Sequence, residues 1–231
     1  MKQDLLLTAT EMERDGIAQF DGLAADRVNV QVIGVGLVAA AIHTMQALQR
    51  FQPARVIVAG IAGRFGRADG LNDAGDLNDG TDLDAETDVP QHAHWFRRLA
   101  LDGIGVGQAD QFLDPQDLGW DFAGKGTRNV DCALPCPVDQ VTGLADGYLL
   151  SVCAASASAE EAQWRQQRFP GAVAEDMESY AVVKACQAFD VPVFVLRGYS
   201  NSVGHRDHAS WKIQPALQSI ASQLQWFWKT C

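Results

Sequence analysis

The chain has 231 residues, 47% of them hydrophobic, and carries 29 Asp and Glu against 18 Lys and Arg, for a formal net charge of -11. That apolar fraction supports a sizeable core and excludes bulk disorder, and the length suits a single α/β domain over residues 1–231. The acidic balance argues against a nucleic-acid or anionic-membrane partner, since both require a basic footprint, and leaves a small polar substrate open.

The cysteines, Cys132, Cys136, Cys153, Cys186 and Cys231, lack paired spacing, so no disulfide framework is expected. Cys132 and Cys136 bracket Ala-Leu-Pro with no second Cys/His pair after them, so no zinc site is expected, and no other metal or cofactor. The apolar run at residues 5–7 is too short for a signal segment, and no stretch nears the roughly 20 apolar residues of a membrane span. A soluble, cytoplasmic protein is expected.

Short apolar runs alternate with helical patterns, as in a sheet covered by helices. Residues 5–7 predict a first buried strand running into a polar loop that holds Glu11 and Glu13. Residues 28–35 predict the next, followed by Gly34-Val35-Gly36 and an alanine-rich helix over 38–51 that Pro53 stops. Residues 56–59 predict a strand that turns at Gly60-Ile61-Ala62-Gly63. Residues 69–88 hold eight acids and no base; lacking the Asp-x-Asp-x-Asp-Gly spacing and closing Glu of a calcium loop, they read as a solvated acidic loop.

Residues 92–102 are predicted helical, and 103–147, rich in Gly, Pro and Asp, are expected to hold only short strands. Residues 148–155 predict a strand opening into Ser156-Ala157-Ser158-Ala159, and a helix containing Glu160, Glu161 and Arg165 runs on to Pro170. Residues 175–189 read as one amphipathic helix with Met177, Ala181 and Ala185 on a shared face. A strand over 191–196 and a C-terminal helix marked by Leu217, Ile220, Ala221, Leu224 and Phe227 complete the chain, with Trp226-Phe227-Trp228 read as core.

Gly34-Val35-Gly36-Leu37-Val38-Ala39 fits a dinucleotide-binding turn, but that reading wants an acid about 20 residues on, and residues 53–60 hold none. The plainer account is a pair of glycines for a tight turn and close helix–strand packing. Ligands of open α/β sheets gather at the carboxyl ends of strands, where this chain places Glu11, Glu13, the 60–63 turn, Ser200 and Asn201, with Glu178 at a helix start. Singly, each has a bland account: solvated acids, helix-dipole compensation, or a loop-forming Asn.

Taken in order, Thr10-Glu11-Met12-Glu13, Gly34-Val35-Gly36-Leu37-Val38-Ala39-Ala40-Ala41, Ala59-Gly60-Ile61-Ala62-Gly63, Glu175-Asp176-Met177-Glu178 and Val195-Leu196-Arg197-Gly198-Tyr199-Ser200-Asn201 resemble the nucleoside phosphorylase/nucleosidase family. The resemblance spans nearly the whole chain and is strongest over 169–217. It implies an α/β, single-domain three-layer sandwich of the nucleoside phosphorylase type, with a central mixed twisted sheet flanked by helices. It also implies an enzyme acting on a purine nucleoside, as a homodimer or higher homo-oligomer. The segment Arg197-Gly198-Tyr199-Ser200-Asn201-Ser202-Val203-Gly204-His205-Arg206-Asp207, with Trp211-Lys212-Ile213 after it, is similar to that of the branch hydrolysing a 6-oxopurine nucleoside, futalosine, with release of hypoxanthine. The alternatives are a nucleosidase for methylthioadenosine, S-adenosylhomocysteine or aminodeoxyfutalosine, a purine nucleoside phosphorylase, and a non-catalytic nucleoside-binding protein on the same fold.

By the same resemblance, Glu13 is the general base for the attacking water, Glu178 accepts from the ribose hydroxyls, and Met177 packs on the sugar. Ile61, Ala62 and Gly63 line the floor, the backbone near Ser156 meets the purine, and Asp207 is a candidate proton relay through water. Asn201 stands where aminopurine nucleosidases carry Asp. An amide cannot act as the acid, but it offers a donor to a 6-oxo oxygen and an acceptor to a protonated N7, which favours hypoxanthine over adenine. The phosphorylase-like Gly-Asp-Pro…Arg pattern is absent from residues 8–14, which favours hydrolysis over phosphorolysis.

Overall fold

The computed structural model describes residues 3–23, 28–66, 93–107, 111–115, 117–120, 129–134 and 141–231; the acidic 69–88 loop lies outside them. In chain order the elements are β1 (Asp4–Thr8), α1 (Glu11–Gln19), β2 (Val28–Val32), α2 (Leu37–Phe51), β3 (Val56–Arg64), β4 (Ala93–Phe96), β5 (Arg98–Asp102) and β6 (Asn129–Asp131). There follow β7 (Tyr148–Val152), α3 (Ala159–Arg168), β8 (Ala172–Asp176), α4 (Ser179–Ala188), β9 (Val193–Ser202), a single 3-10 turn (His208–Ser210) and α5 (Ile213–Thr230).

The described strands form one mixed sheet in the order β2-β1-β3-β8-β7-β5-β6, with β9 against β3 and β4 against β9. Successive strand residues fall on opposite faces. Leu5, Leu7, Val56 and Val58 pack towards α2 and α4, whereas Leu6, Ile57 and Ala59 pack towards α1 and α5. On that second face Leu150, Val152 and Ala100 also meet Ala162 and Phe169 at α3. This is the expected three-layer α/β arrangement. The C-terminal helix buries Leu217, Ile220, Leu224 and Phe227 completely, with Trp226 and Trp228 packed at the edge of the same core.

The course of β3 shapes the site. Along one side it pairs with β9 for its whole length. On the other it pairs in parallel with β1 only through Leu7–Val58, and then antiparallel with β8 at Gly63–Glu175 and Arg64–Ala174. Between those pairings, residues 59–62 have no strand neighbour on that side, and a gap opens in the middle of the sheet.

Several expectations are corrected. Of residues 92–102, read as helix, 93–96 and 98–102 form β4 and β5: the helix-favouring Ala, Leu and Arg there are overridden by complete burial of Trp95, Phe96, Leu99 and Ala100 between layers. The 60–63 segment is not a turn but the continuation of β3, because β9 supplies ladder partners as far as Arg64. The proposed helix over 175–189 divides: Glu175 and Asp176 end β8, paired with β7 and β3, and the helix starts at Ser179. Glu11 and Glu13 lie in the first turn of α1 instead of a loop, and Ser200 and Asn201 lie within β9.

Candidate active site

The gap beside β3 is filled by side chains from four elements. Glu13 occupies the third position of α1 and closes a capping box: Thr10 Oγ1 accepts from Glu13 N at 3.2 Å, and Glu13 Oε2 accepts from Thr10 N at 2.9 Å and Thr10 Oγ1 at 3.0 Å. Its other oxygen, Oε1, accepts from Ile61 N at 2.9 Å, a β3 amide just beyond the reach of β1. A carboxylate that is 3% exposed is thus fixed at both oxygens.

Arg197 approaches from β9. It is fully buried; its Nε and Nη2 donate to Asp176 Oδ2 at 3.0 and 2.7 Å, and Nε also to Ser179 Oγ at 3.2 Å. Asp176 is held in turn by Ser179 N at 3.0 Å and by Ser151 Oγ at 2.5 Å. Arg197 Nη1 is buried and has no hydrogen-bond partner among the described residues. A Cβ at Gly60 would collide with both this Nη1 and Glu13 Oε1, so the guanidinium and the carboxylate meet over the bare backbone of Gly60. Buried donors are rarely left unpaired. An Nη1 with no protein acceptor among the described residues, beside a carboxylate oxygen, is a donor available to a small polar ligand.

Glu178, between β8 and α4, completes the cluster. Its Oε1 accepts from Gly36 N at 2.9 Å, and its Oε2 lies 3.7 Å from Arg197 Nη2. Gly36 has φ +88°, a conformation that only glycine adopts freely, and it caps α2, so the Gly34-Val35-Gly36 turn presents an amide to the Glu178 carboxylate. Burial and then the charge of Asp176 push the Glu178 carboxyl up to about 7, against the opposing pull of Arg197 and the Gly36 amide. For Arg197 burial opposes the charge, but Asp176, Glu178 and Glu13 outweigh it and raise its pKa.

The raised Glu178 has a consequence for stability. Between its ordinary value of 4.5 and about 7 the folded chain holds a proton that the unfolded chain releases. This group's contribution to stability therefore falls as pH rises through that window. Thermal melts of the wild type and Glu178→Gln between pH 4.5 and 8 are expected to show the variant gaining on the wild type as pH rises. Parallel curves would refute the assignment.

Other expected residues are placed as follows. Ile61, Ala62 and Gly63 lie along β3 beside the gap, with Gly63 between Glu175 of β8 and Asn201 of β9. Asn201 is 6% exposed; its Oδ1 accepts from Ser200 Oγ at 2.8 Å and its Nδ2 donates to Ser202 O at 2.9 Å, leaving one N–H and one lone pair for a ligand. Met177 is half-buried against the core under β7 and α3. The Ser156 amide and hydroxyl are both engaged by Glu175, which leaves a backbone contact to the purine to the neighbouring peptide groups of that loop. Asp207 is exposed and caps the 3-10 turn through Ala209 N, and Glu11 points to solvent beside Arg14; neither joins the cluster.

Residues 141–225 match the family model described as the phosphorylase superfamily. A futalosine hydrolase of Acidothermus cellulolyticus is 32% identical over 236 residues, covering 94% of this chain and 86% of that protein. The chain belongs to the purine nucleoside phosphorylase/nucleosidase family. A second relative, a futalosine hydrolase of Streptomyces coelicolor, is 36% identical over 121 residues; that match spans 52% of this chain and only half of the relative's length. Among solved structures, the futalosine hydrolase of Helicobacter pylori aligns with a TM-score of 0.70 at 18% identity, covering 100% of this chain and 99% of its own. The methylthioadenosine/S-adenosylhomocysteine nucleosidase of the same organism aligns at 0.73 and 18%, with the same coverage. The described residues therefore take the fold of these proteins.

Two elements of this site go beyond the sequence-based expectations. Arg197 has no expected role; an Arg in the middle of an otherwise apolar strand is the signal for one, since such a charge is buried only with partners. The Thr10-x-x-Glu13 spacing was a readable capping-box signature that marks a helix start. Among the described residues no His, Cys, Asp and Glu cluster has metal-binding geometry, and no helix is long and apolar enough to cross a membrane.

Proposed function

We propose that the chain hydrolyses the N-glycosidic bond of a 6-oxopurine nucleoside, with futalosine converted to dehypoxanthine futalosine and hypoxanthine on the futalosine route to menaquinone. The observation that carries this reading is the meeting of Glu13 Oε1 and the unpartnered Arg197 Nη1 over Gly60, with Glu178 on the other side of the same guanidinium. A water held between them donates to Glu13 and accepts from Arg197. Glu13 removes its proton as the oxygen bonds to the anomeric carbon, and the C–N bond breaks with its electron pair passing to the purine, which takes up a proton from solvent at N7. Glu178 accepts from the ribose hydroxyls as the sugar becomes oxocarbenium-like, by analogy with glycoside hydrolysis.

Asn201 lies on the β9 row of Gly63, whereas Arg197 lies on that of Gly60. Three strand steps separate them by on the order of 10 Å, about the reach from a ribose to the far edge of its purine. The remaining N–H and lone pair of Asn201 suit a 6-oxo group and a protonated N7, while Asp207 has no part in this reading. Hydrolysis is favoured over phosphorolysis because Glu13, Asp176 and Glu178 crowd a single guanidinium. A phosphate dianion would meet net repulsion there.

The test is purified protein with futalosine, inosine and methylthioadenosine, each with and without phosphate. Phosphate-independent release of hypoxanthine from futalosine is expected. Phosphate stimulation with a ribose-1-phosphate-type product would overturn it, and a preference for methylthioadenosine would support the aminopurine alternative. We also read the chain as a cytoplasmic homo-oligomer: Val38, Ile42 and Met45 form an exposed apolar stripe on α2, with Val35 beside the Gly36 amide that holds Glu178. A monomer by light scattering at micromolar concentration would refute that pairing.

A further inference from the structure

The mechanism above makes no use of a second buried charge cluster, which lies across β7 and β8 from Arg197. Arg165 of α3 is 6% exposed, Asp102 at the end of β5 5%, and Glu175 at the end of β8 7%. Arg165 Nε donates to Asp102 Oδ2 at 3.1 Å, Nη1 to Glu175 Oε2 at 3.1 Å and to Ser156 Oγ at 2.6 Å, and Nη2 to the Ala154 carbonyl at 2.7 Å. Glu175 accepts from Ser156 N at 2.8 Å and from Ser156 Oγ at 2.7 Å. Arg168 Nη1 and the Cys153 amide complete the set, donating to Asp102 Oδ1 at 2.9 Å and to the Asp102 carbonyl at 3.3 Å.

Five of these eight bonds end on the loop of residues 153–158. That loop reads Cys-Ala-Ala-Ser-Ala-Ser and has no large side chain with which to anchor itself. Its far end is pinned as well: Ala157 N donates to Glu161 Oε2 at 2.7 Å, and Gly204, at φ +85°, packs so closely on the Ser158 carbonyl that a Cβ there would collide with it. The loop therefore lies against the segment that follows Asn201. Glu175 is paired with Gly63, and Gly63 with Asn201, so the anchor of the loop and Asn201 occupy one row of the sheet. After these bonds, the Ala155 N–H and C=O are left without protein partners among the described residues.

We infer that Glu175 and Arg165, steadied by Asp102, are positioning residues that fix the 153–158 loop so that the Ala155 backbone groups are held ready for the purine beside Asn201. This inference rests on the nucleosidase reading above. A buried ion network is a poor device for net stability, since apolar replacements of such groups are often neutral or better. What it supplies to a loop of small residues is a single conformation. A backbone donor preset where charge develops on a leaving group is typically worth on the order of 10²-fold or more in rate, and a displacement of about 1 Å loses a similar factor.

The test compares kcat and KM for hypoxanthine release in the full-length wild type, Glu175→Ala and Glu175→Gln, together with amide hydrogen exchange over residues 153–158. Glu175→Ala is expected to lower kcat per folded molecule about 100-fold with little change in KM, and to speed exchange at Ser156 and Ala157. Glu175→Gln keeps an acceptor for Ser156 N and is expected to recover most of that loss. If Glu175→Ala does not fold, Ser156→Ala, which removes only the shared hydroxyl, takes its place with the same criteria. An unchanged kcat per folded molecule, or a Gln variant as impaired as the Ala variant, overturns the inference while an active wild type leaves the proposed function standing. A wild type that releases no purine overturns both.

Discussion

Replacing Glu13 with Gln is expected to lower kcat for the nucleosidase reaction by on the order of 10²- to 10⁴-fold, the usual range for a general base, while the fold persists. Gln has the same shape, and its carbonyl can still accept from either Thr10 N or Ile61 N. Its amide NH2 must then face one donor, Ile61 N on one side or Thr10 N on the other. The structural cost is therefore one opposed hydrogen bond at a helix cap, about 1 kcal/mol. Such a penalty lowers the melting temperature by a few degrees without emptying the folded state. What the amide cannot do is take the proton of the water proposed between it and Arg197. Steady-state kinetics on protein verified as folded checks this, and a near-wild-type kcat would remove Glu13 from the chemistry.

Arg197→Met is expected to lose about 3–5 kcal/mol of stability and nearly all activity. Removing one member of a buried ion pair leaves its partner charged, dry and unopposed. Asp176 is fully buried and would retain only Ser151 Oγ and Ser179 N. Glu178 would also lose its only nearby cation among the described groups that shift it. Pairing the change with Asp176→Asn discriminates between stability and function. The neutral amide keeps an acceptor for Ser179 N and carries no charge, so urea denaturation should show much of the loss restored in the double variant, with turnover still absent. A single Arg197→Met variant as stable as the wild type would show that the pair is not the buried unit described here.

Apolar runs and helical periodicity made β1 and α2 readable almost to their ends, and placed β2 and β7 with three residues too many at the C-terminal end of each, because their burial is decided by local pattern. At residues 92–102 and 175–176 local pattern misled. Ala, Leu, Arg and Glu favour helices in isolation, but strands supply the hydrogen bonds here: β9 to β4, β6 and β7 to β5, and β7 and β3 to the end of β8. The same tertiary pairing turned Gly60–Gly63 from a bend into a strand. Residue chemistry alone drew attention to Glu13, Glu178 and Asn201, and the family resemblance assigned them roles. It also nominated Asp207, which the fold leaves in solvent, and it passed over Glu175 and Arg165.

The net charge of -11 has a local counterpart at the site, where Glu13, Asp176 and Glu178 surround Arg197. Sequence by itself determined the α/β class, the order of most elements and the family, because these follow from periodicity and from motifs contiguous in the chain. Only the tertiary structure decided that β3 leaves a gap between β1 and β8, that Glu13 and Arg197 meet over a glycine, and that the Ser156 loop hangs on Glu175 and Arg165. Those contacts join residues far apart in sequence: Glu13 to Ile61, Gly36 to Glu178, Asp102 to Arg165. Hydrogen bonds and ion pairs act over a few ångströms, and only folding sets which distant residues come that close.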